Sequence, residues 1–175
     1  MLKKLNLGCG AARITDAVNV DMNPDVKPDL CFNLTESFPL SDEQFDEVYF
    51  FHCIEHIEKF KQPSVLAEIH RVTKLGGTVY ISYPEFSEIA NHWLKRTNND
   101  RSFWEKTMFG RQLYAGDYHY AAMDTVEFKE TLFLAGFNVK KQFQEPTQPF
   151  NTVLVLERGY TLPTYEELLY KEIFA

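Results

Sequence analysis

Short runs of apolar residues, separated by glycine, proline and acidic residues, predict a chain that alternates strands and helices. Apolar runs of this length, bounded by turn residues, are typical of buried strands. The fourth run is almost continuously apolar and aromatic, as expected for a strand covered on both faces. The predicted strands are Leu2–Leu7, Ala17–Asp21, Asp29–Phe32, Phe45–Phe51, Thr78–Tyr83, Phe137–Phe143 and Thr152–Glu157.

Helical spacing of apolar residues follows the fourth strand and recurs later in the chain. Pro63 suits the first turn of a helix that we expect to end at Gly76-Gly77. Its core stripe consists of Val65, Leu66, Ile69 and Val72. Between Pro84 and Gly110 the pattern predicts a broken helical segment rich in aromatic residues, interrupted at Asn98-Asn99-Asp100.

A further helix is predicted to begin after Asp124. Asp124 is a favourable N-cap, Glu127 is placed as its capping-box partner, and Gly136 is a typical stop. The tail Tyr165–Phe174 has the pattern of a terminal amphipathic helix.

The lengths of the connections predict the topology. A parallel connection normally takes about 10–12 residues or more. Gly10 to Asp21 leaves room for only a vestigial turn over Ala11–Asp16, and Asp21 to Asp29 leaves less. Glu145–Asn151 is long enough for a hairpin only, so the last strand should be antiparallel. We therefore predict one α/β domain over residues 1–175, a doubly wound, mostly parallel seven-stranded sheet with shortened first crossover helices.

Composition narrows the classes of partner. The chain has 175 residues and a formal net charge of −7, which argues against a broad nucleic-acid surface. No apolar run approaches the length of a membrane span, and the residues before the first strand lead us to expect no signal sequence. Cys9, Cys31 and Cys53 are widely spaced and indicate free thiols in a reducing cytoplasm. We expect a cytoplasmic protein with no nucleic-acid or membrane partner, and a homo-oligomer is compatible with the sequence.

A glycine turn and a following acid form the strongest candidate site. Gly8-Cys9-Gly10 ends the first strand, and glycine lets backbone approach a ligand that a Cβ would block. Asp21 ends the second strand, where a carboxylate can accept hydrogen bonds from both ribose hydroxyls. Together these residues predict a site for a nucleoside-bearing cofactor.

Later motifs indicate which cofactor. The stretch 5–10 resembles the first motif of class I S-adenosylmethionine (SAM) dependent methyltransferases, and Asp21 resembles their ribose-binding acid. Three further segments, 38–48, 52–57 and 68–77, resemble the motifs that surround the fourth strand of that family. The chain is most similar to the short type 11 methyltransferases, including a Pro84-Glu85 pair and His119 before the last helix.

This resemblance implies a Rossmann-like fold and a set of site residues. It implies SAM contacts from Gly8, Cys9, Gly10, Asp21, Asn33, Leu34 and His52. His119 and His52 are the candidate bases, since an acceptor hydroxyl would need one. Tyr83 and Glu85 are placed to contact the acceptor, and residues 84–120 to form a lid over it. The motifs say little about the acceptor, but the acidic charge and the aromatic lid favour O- or N-methylation of a small-molecule or sugar-like acceptor.

Three alternatives bear on this interpretation. The sequence His52-Cys53-Ile54-Glu55-His56 matches a zinc-protease pattern, but His52 precedes the helix, so we expect no metal there. NAD binding would need a third glycine at Arg13. A protein of this fold that binds SAM or a partner without catalysis remains open, because short crossovers could leave the cofactor site loose.

Overall fold

The structure is a computed structural model that describes residues 2–95 and 101–159. One sheet contains all seven strands: β1 (Lys4–Leu7), β2 (Ala17–Asp21), β3 (Leu30–Cys31), β4 (Phe45–Phe51), β5 (Thr73–Pro84), β6 (Phe137–Gln144) and β7 (Asn151–Arg158). Their order is β3-β2-β1-β4-β5-β7-β6. Strands β1 to β5 pair in parallel, and β7 lies antiparallel between β5 and β6. The predicted fold class is confirmed, including the antiparallel last strand.

Four α-helices lie in the described part of the chain: α1 (Gln62–Val72), α2 (Phe86–Lys95), α3 (Arg101–Phe109) and α4 (Thr125–Leu134). Two predicted features, the break at residues 98–100 and the helix Tyr165–Phe174, lie outside the described residues. No helix among the described residues is long and apolar enough to cross a membrane.

The predicted boundary between α1 and β5 is wrong. The helix ends at Val72 rather than at Gly76-Gly77, and β5 begins at Thr73, five residues before the predicted Thr78. Thr73 ends the helix because its Oγ1 donates to the Ile69 carbonyl at 2.6 Å and its backbone pairs with Phe45. The glycine pair therefore lies inside an irregular stretch of strand, where Gly76 has φ +72°.

The start of α4 also differs in one detail from its prediction. Asp124 caps the helix, with Oδ1 accepting from Val126 N at 2.9 Å and Glu127 N at 3.0 Å. The Glu127 carboxylate pairs with Lys59 instead of closing a capping box. Gly136 follows the helix with φ +85°, the conformation expected of a C-terminal stop.

One face of the sheet carries the main core. The predicted stripe of α1 is buried against β4 and β5, and α4 adds Phe128 and Leu132 to the same cluster. Alternate residues of β4 and β5 point to the opposite face. There Tyr49 and Tyr80 stack with ring centroids 5.0 Å apart, and Phe51 is 37% exposed.

The crossovers before β4 contain no α-helix within the described residues. Residues 8–16 form turns only, and Pro24–Val26 is a single 3₁₀ turn between β2 and β3. In place of a first crossover helix, residues 11–16 thus form a short loop with turns at its two ends. The first α-helix of the described chain is α1, which follows β4.

A buried pair of asparagines holds that loop to the sheet. Asn6 Nδ2 donates to Asn19 Oδ1 at 2.9 Å and to the Ala12 carbonyl at 3.0 Å. Asn19 Oδ1 also accepts from Ile14 N at 2.8 Å, and its Nδ2 donates to Asp29 Oδ2 at 3.0 Å. Hydrogen bonds from the backbone and side chain of Asn19 lower the pKa of Asp29 to about 2. These hydrogen bonds therefore hold the connection between β1 and β2 against the sheet, whereas α1 is held by burial of its apolar side chains.

Candidate functional site

The glycine turn after β1 has the conformation that its sequence predicts. Gly8 and Gly10 both adopt positive φ, +65° and +47°, where other residues are strained. A Cβ on Gly8 would lie 2.4 Å from Cys53 Sγ and 3.9 Å from Leu34 Cδ1, whereas one on Gly10 would meet nothing within 4 Å. Gly8 therefore lies against the start of the segment after β4, and Gly10 faces open space.

Asp21 is oriented by the glycine turn itself. Its Oδ2 accepts from Gly10 N at 2.8 Å, and its Oδ1 accepts from Asn23 N at 2.9 Å. An ionised carboxylate has about four lone-pair sites, so both oxygens can accept a further hydrogen bond. This open turn and this fixed, half-exposed carboxylate fit a nucleoside with two ribose hydroxyls.

Three other predicted cofactor residues lie around this turn with unequal exposure. Cys9 is buried, its N donates to the Val20 carbonyl at 2.9 Å, and burial, followed by the charge of Asp21, raises the pKa of its thiol. Leu34 is 8% exposed and belongs to the core. Asn33 directs its Oδ1 to Thr35, accepting from the backbone N and from Oγ1 at 3.0 Å each. The described contacts thus give Asn33 a local turn role.

His52 follows β4 and lies between two carboxylates. Its φ of +48° is left-handed, its Nδ1 is 3.7 Å from Glu55 Oε1, and its Nε2 is 3.3 Å from Glu145 Oε1. Burial alone would lower the pKa of His52, but the hydrogen bonds and charges of Glu55 and Glu145 raise it overall. The position confirms that His52 precedes any helix, so it does not stack one turn below His56.

Glu55, His56 and His119 form a compact cluster that brings together two distant parts of the chain. Tyr120 N donates to the Glu55 carbonyl at 2.8 Å, which holds residues 118–121 against the turn after β4. The His56 and His119 rings meet edge to face with centroids 4.7 Å apart. Burial lowers the pKa of His119, only partly opposed by the charge of Glu55.

The Glu55 carboxylate is the most unusual group of this cluster. The residue is 1% exposed, and its Oε2 has no hydrogen-bond partner among the described residues. Buried polar atoms are nearly always paired, and an unpaired carboxylate oxygen is costly. This atom is therefore a candidate ligand-binding group.

A cavity of about 310 Å³ joins the cluster to the helices that follow β5. Its lining combines rings with charged and amide groups, namely His52, Glu55, His56, Phe103, Lys106, Arg111, Asp117, His119, Gln148, Phe150 and Asn151. A second cavity, of about 530 Å³, is lined by Trp93 of α2 and by residues of the stretch 102–112. Only the smaller of these two includes residues at the ends of the strands.

Tyr83 and Glu85 have structural contacts in place of the predicted acceptor contacts. Tyr83 is fully buried, and its hydroxyl lies 3.0 Å from Thr125 Oγ1. Glu85 accepts from Thr125 N at 3.2 Å and from Ser87 Oγ at 3.2 Å. Neither residue lines the cavity described above, because their polar atoms join the starts of α2 and α4.

Sequence reasoning does not single out Glu55, although it lies in the His52–His56 motif. That motif indicates a comparison with a zinc-protease helix, which fails for lack of one-turn stacking between His52 and His56. Glu55 lies beside His119, which is more than sixty residues away in the chain. Spacing within one motif could not predict that pairing.

The sheet order, the inserted antiparallel strand and the glycine turn beside an acid after β2 define a class I methyltransferase fold. Residues 5–81 match the family model described as a methyltransferase domain. None of the curated proteins compared matches the chain significantly. The family match covers the first part of the sheet, and the fold of the described residues is that of the class I SAM-dependent methyltransferases.

Solved structures with the same fold are distant in sequence. A protein from Pyrococcus horikoshii is 16% identical, with a TM-score of 0.66 over 90% of this chain and 82% of the other. A SAM-dependent methyltransferase from Methanosarcina mazei is 16% identical, with a TM-score of 0.65 over 91% and 93%. The 1,6-didemethyltoxoflavin N1-methyltransferase of Burkholderia thailandensis, bound to S-adenosylhomocysteine, is 15% identical, with a TM-score of 0.60 over 91% and 72%.

Proposed function

We propose that the protein transfers a methyl group from SAM to a hydroxyl or amine of a small-molecule or sugar-like acceptor. The observation that carries this proposal is the continuity of the site along one sheet edge. The glycine turn, Asp21, His52 and the cavity all follow the carboxyl ends of parallel strands, where ligands bind in this kind of fold. SAM supplies an activated methyl group, so the protein has to align the acceptor, exclude water and manage a proton.

For the cofactor, we propose that Asp21 binds the ribose and that Gly8 and Gly10 allow the methionine part to approach the backbone. The bond from Gly10 N fixes the Asp21 carboxylate before a ligand arrives. Cys9, Leu34 and His52 complete the proposed contact set. Asn33 stays in it through its position after β3, although its Oδ1 already serves a local turn.

We propose that the acceptor binds in the 310 Å³ cavity and that residues 84–120 form a lid over it. In this proposal the cofactor site, the cavity and the lid belong to a single domain. This volume is at the small end of the range for ligand sites, about 300–1,000 Å³. Phe103 and Phe150 offer ring faces, while Asn151 and Gln148 offer amides. Rings combined with amide and charged groups suit a polar ring such as a sugar.

His119 and His52 are the proposed proton acceptors. Both line the cavity. The lowered pKa of His119 favours the neutral imidazole that a base requires, whereas the carboxylates around His52 favour its charged form. We therefore favour His119 as the base and His52 as a positioning residue.

The cofactor site is tested by calorimetric titration of SAM and S-adenosylhomocysteine into wild type, Asp21→Ala and Asp25→Ala. Hydrogen bonds to a charged group contribute about 1.5–3 kcal/mol each, so Asp21→Ala should weaken binding by roughly 30-fold or more. Asp25 is an exposed acid four residues away, so its variant is the matched control for charge. Normal SAM binding by Asp21→Ala, with the fold intact by circular dichroism, would place the cofactor elsewhere.

Turnover is tested with methyl-labelled SAM and a panel of sugar and small hydroxyl or amine acceptors. We expect His119→Ala to keep its SAM affinity and to lose most methyl transfer. Tight SAM binding by wild type with no product across the panel would favour the non-catalytic alternative.

A further inference from the structure

We propose that Glu55, His56 and His119 bind a divalent transition-metal ion, with zinc as the best match to the donor set. One donor atom from each of the three residues lies within 4.8 Å of the others. Two imidazole nitrogens and one carboxylate oxygen are a recurrent zinc set when a site keeps positions open. In a tetrahedral zinc site such donors are roughly 3.4 Å apart, so small side-chain rotations suffice.

The unpaired oxygen of Glu55 is the first observation that points to a ligand. Oε2 is buried without a hydrogen-bond partner among the described residues, and Oε1 lies 3.7 Å from His52 Nδ1. A metal ion would compensate both the burial and the charge of this carboxylate. The unpaired oxygen therefore indicates that this cluster binds a ligand.

The orientation of His56 is the second observation. Its Nδ1 lies 2.9 Å from the Tyr118 carbonyl, so this nitrogen carries the proton and donates. In the neutral imidazole with this tautomer, the Nε2 lone pair is the one available to a metal ion. Metal-binding histidines commonly donate their other ring nitrogen to a carbonyl or carboxylate in this way, which fixes the tautomer and the ring.

The backbone brings the third donor to the cluster. His119 N donates to the Phe109 carbonyl at 3.1 Å, and the neighbouring Tyr120 N donates to the Glu55 carbonyl. These bonds hold His119 between the end of α3 and the turn that carries Glu55 and His56. The fold therefore already holds together the two chain segments that carry the donors, with the end of α3 packed beside them.

All three donors line the 310 Å³ cavity, so open metal positions would face it. An oxygen atom of the acceptor could occupy one of them, which would lower the pKa of an acceptor hydroxyl. With metal bound, His119 is a ligand rather than a base. This consequence rests on the proposed function, whereas metal binding itself does not.

The test uses the full chain after treatment with a chelator. Zn²⁺ is titrated by calorimetry, and Co²⁺ is titrated by its visible absorption, which reports the coordination of the ion. We expect one equivalent of each to bind. Glu55→Gln and His119→Gln should each lower Zn²⁺ affinity by more than about 10–100-fold, the loss typical of altering an orienting partner alone.

His92→Gln is the matched control, because it removes a histidine of α2 that stacks on Trp104 of α3, outside the cluster. Failure of wild type to bind either metal would overturn the proposal, and this result needs no variant. Equal affinity in Glu55→Gln and His92→Gln would also overturn it. SAM titration of the same samples separates the two proposals, since metal binding and SAM binding can fail independently.

Discussion

Replacement of Gly8 by alanine should destabilise the protein through two separable effects. The first is the backbone conformation, because φ of +65° costs a residue with a Cβ about 1–2 kcal/mol. The second is contact with Cys53, whose Sγ would lie 2.4 Å and whose Cβ would lie 3.1 Å from the new methyl group. Overpacking of a buried site typically costs about 1–3 kcal/mol. We therefore expect Gly8→Ala to lower the free energy of unfolding by about 2–5 kcal/mol.

A double-mutant cycle with Cys53→Ala isolates the contact. Cys53→Ala removes Sγ and leaves Cβ, so the double variant keeps the backbone cost of Gly8→Ala but loses most of the clash. The coupling free energy should be about 1–3 kcal/mol in the direction of rescue, measured by urea unfolding of the four proteins.

Gly10 offers the matched control for this cycle. Its φ of +47° carries a similar backbone cost, but a Cβ there would meet nothing within 4 Å. Gly10→Ala should therefore lose only about 1–2 kcal/mol and be additive with Cys53→Ala. Additivity of Gly8→Ala and Cys53→Ala within about 0.5 kcal/mol would refute the close approach of the glycine turn to the segment after β4.

Two further predictions concern buried polar groups. Burial, followed by the charge of Arg158, lowers the pKa of His70 to about 4 from 6.5, so the unfolded chain takes up the proton first and stability falls as pH drops through this range. The loss is at most about 3 kcal/mol. His70→Gln should flatten that slope in unfolding measured from pH 7 to pH 4, and an unchanged slope would contradict it. Asn19→Val should lower the free energy of unfolding by about 2–4 kcal/mol, because it leaves buried hydrogen-bonding groups unpaired. It should also speed amide hydrogen exchange at Ile14, whose N donates to Asn19 Oδ1. Exchange as slow as in wild type would show that Asn19 does not hold the loop.

The topology could be predicted from the sequence because it depends on local pattern and on connection length. Apolar runs located each strand, and the short Glu145–Asn151 connection required an antiparallel last strand. The boundary at Thr73 could not be predicted in the same way. A glycine pair is a common helix stop, but here the long-range pairing of Thr73 with Phe45 decided where the helix ends.

Part of the candidate site could likewise be predicted from the sequence, and part depends on long-range contacts. The proximity of Gly10 and Asp21 follows from parallel neighbouring strands, whose carboxyl ends meet at one edge. The proximity of Glu55 and His119 depends on how the chain returns after α3, through a backbone bond to the Glu55 carbonyl. No periodicity in one sequence encodes that return, so the cluster emerged only from the three-dimensional arrangement.

The crossover after β1 shows what replaces a helix when the chain is too short to form one. The gap from Gly10 to Asp21 predicted the loss, but the replacement depends on strand register, which pairs Asn6 with Asn19. In a strand pattern each asparagine is only a weak polar interruption. The two asparagines are 4% and 3% exposed and bond to each other. Asn6 donates to the Ala12 carbonyl and Asn19 accepts from Ile14 N, so they pair loop backbone groups that a helix would pair internally. The loop that follows the proposed cofactor turn is therefore held by a few directional contacts, which is why its stability should respond to single polar substitutions.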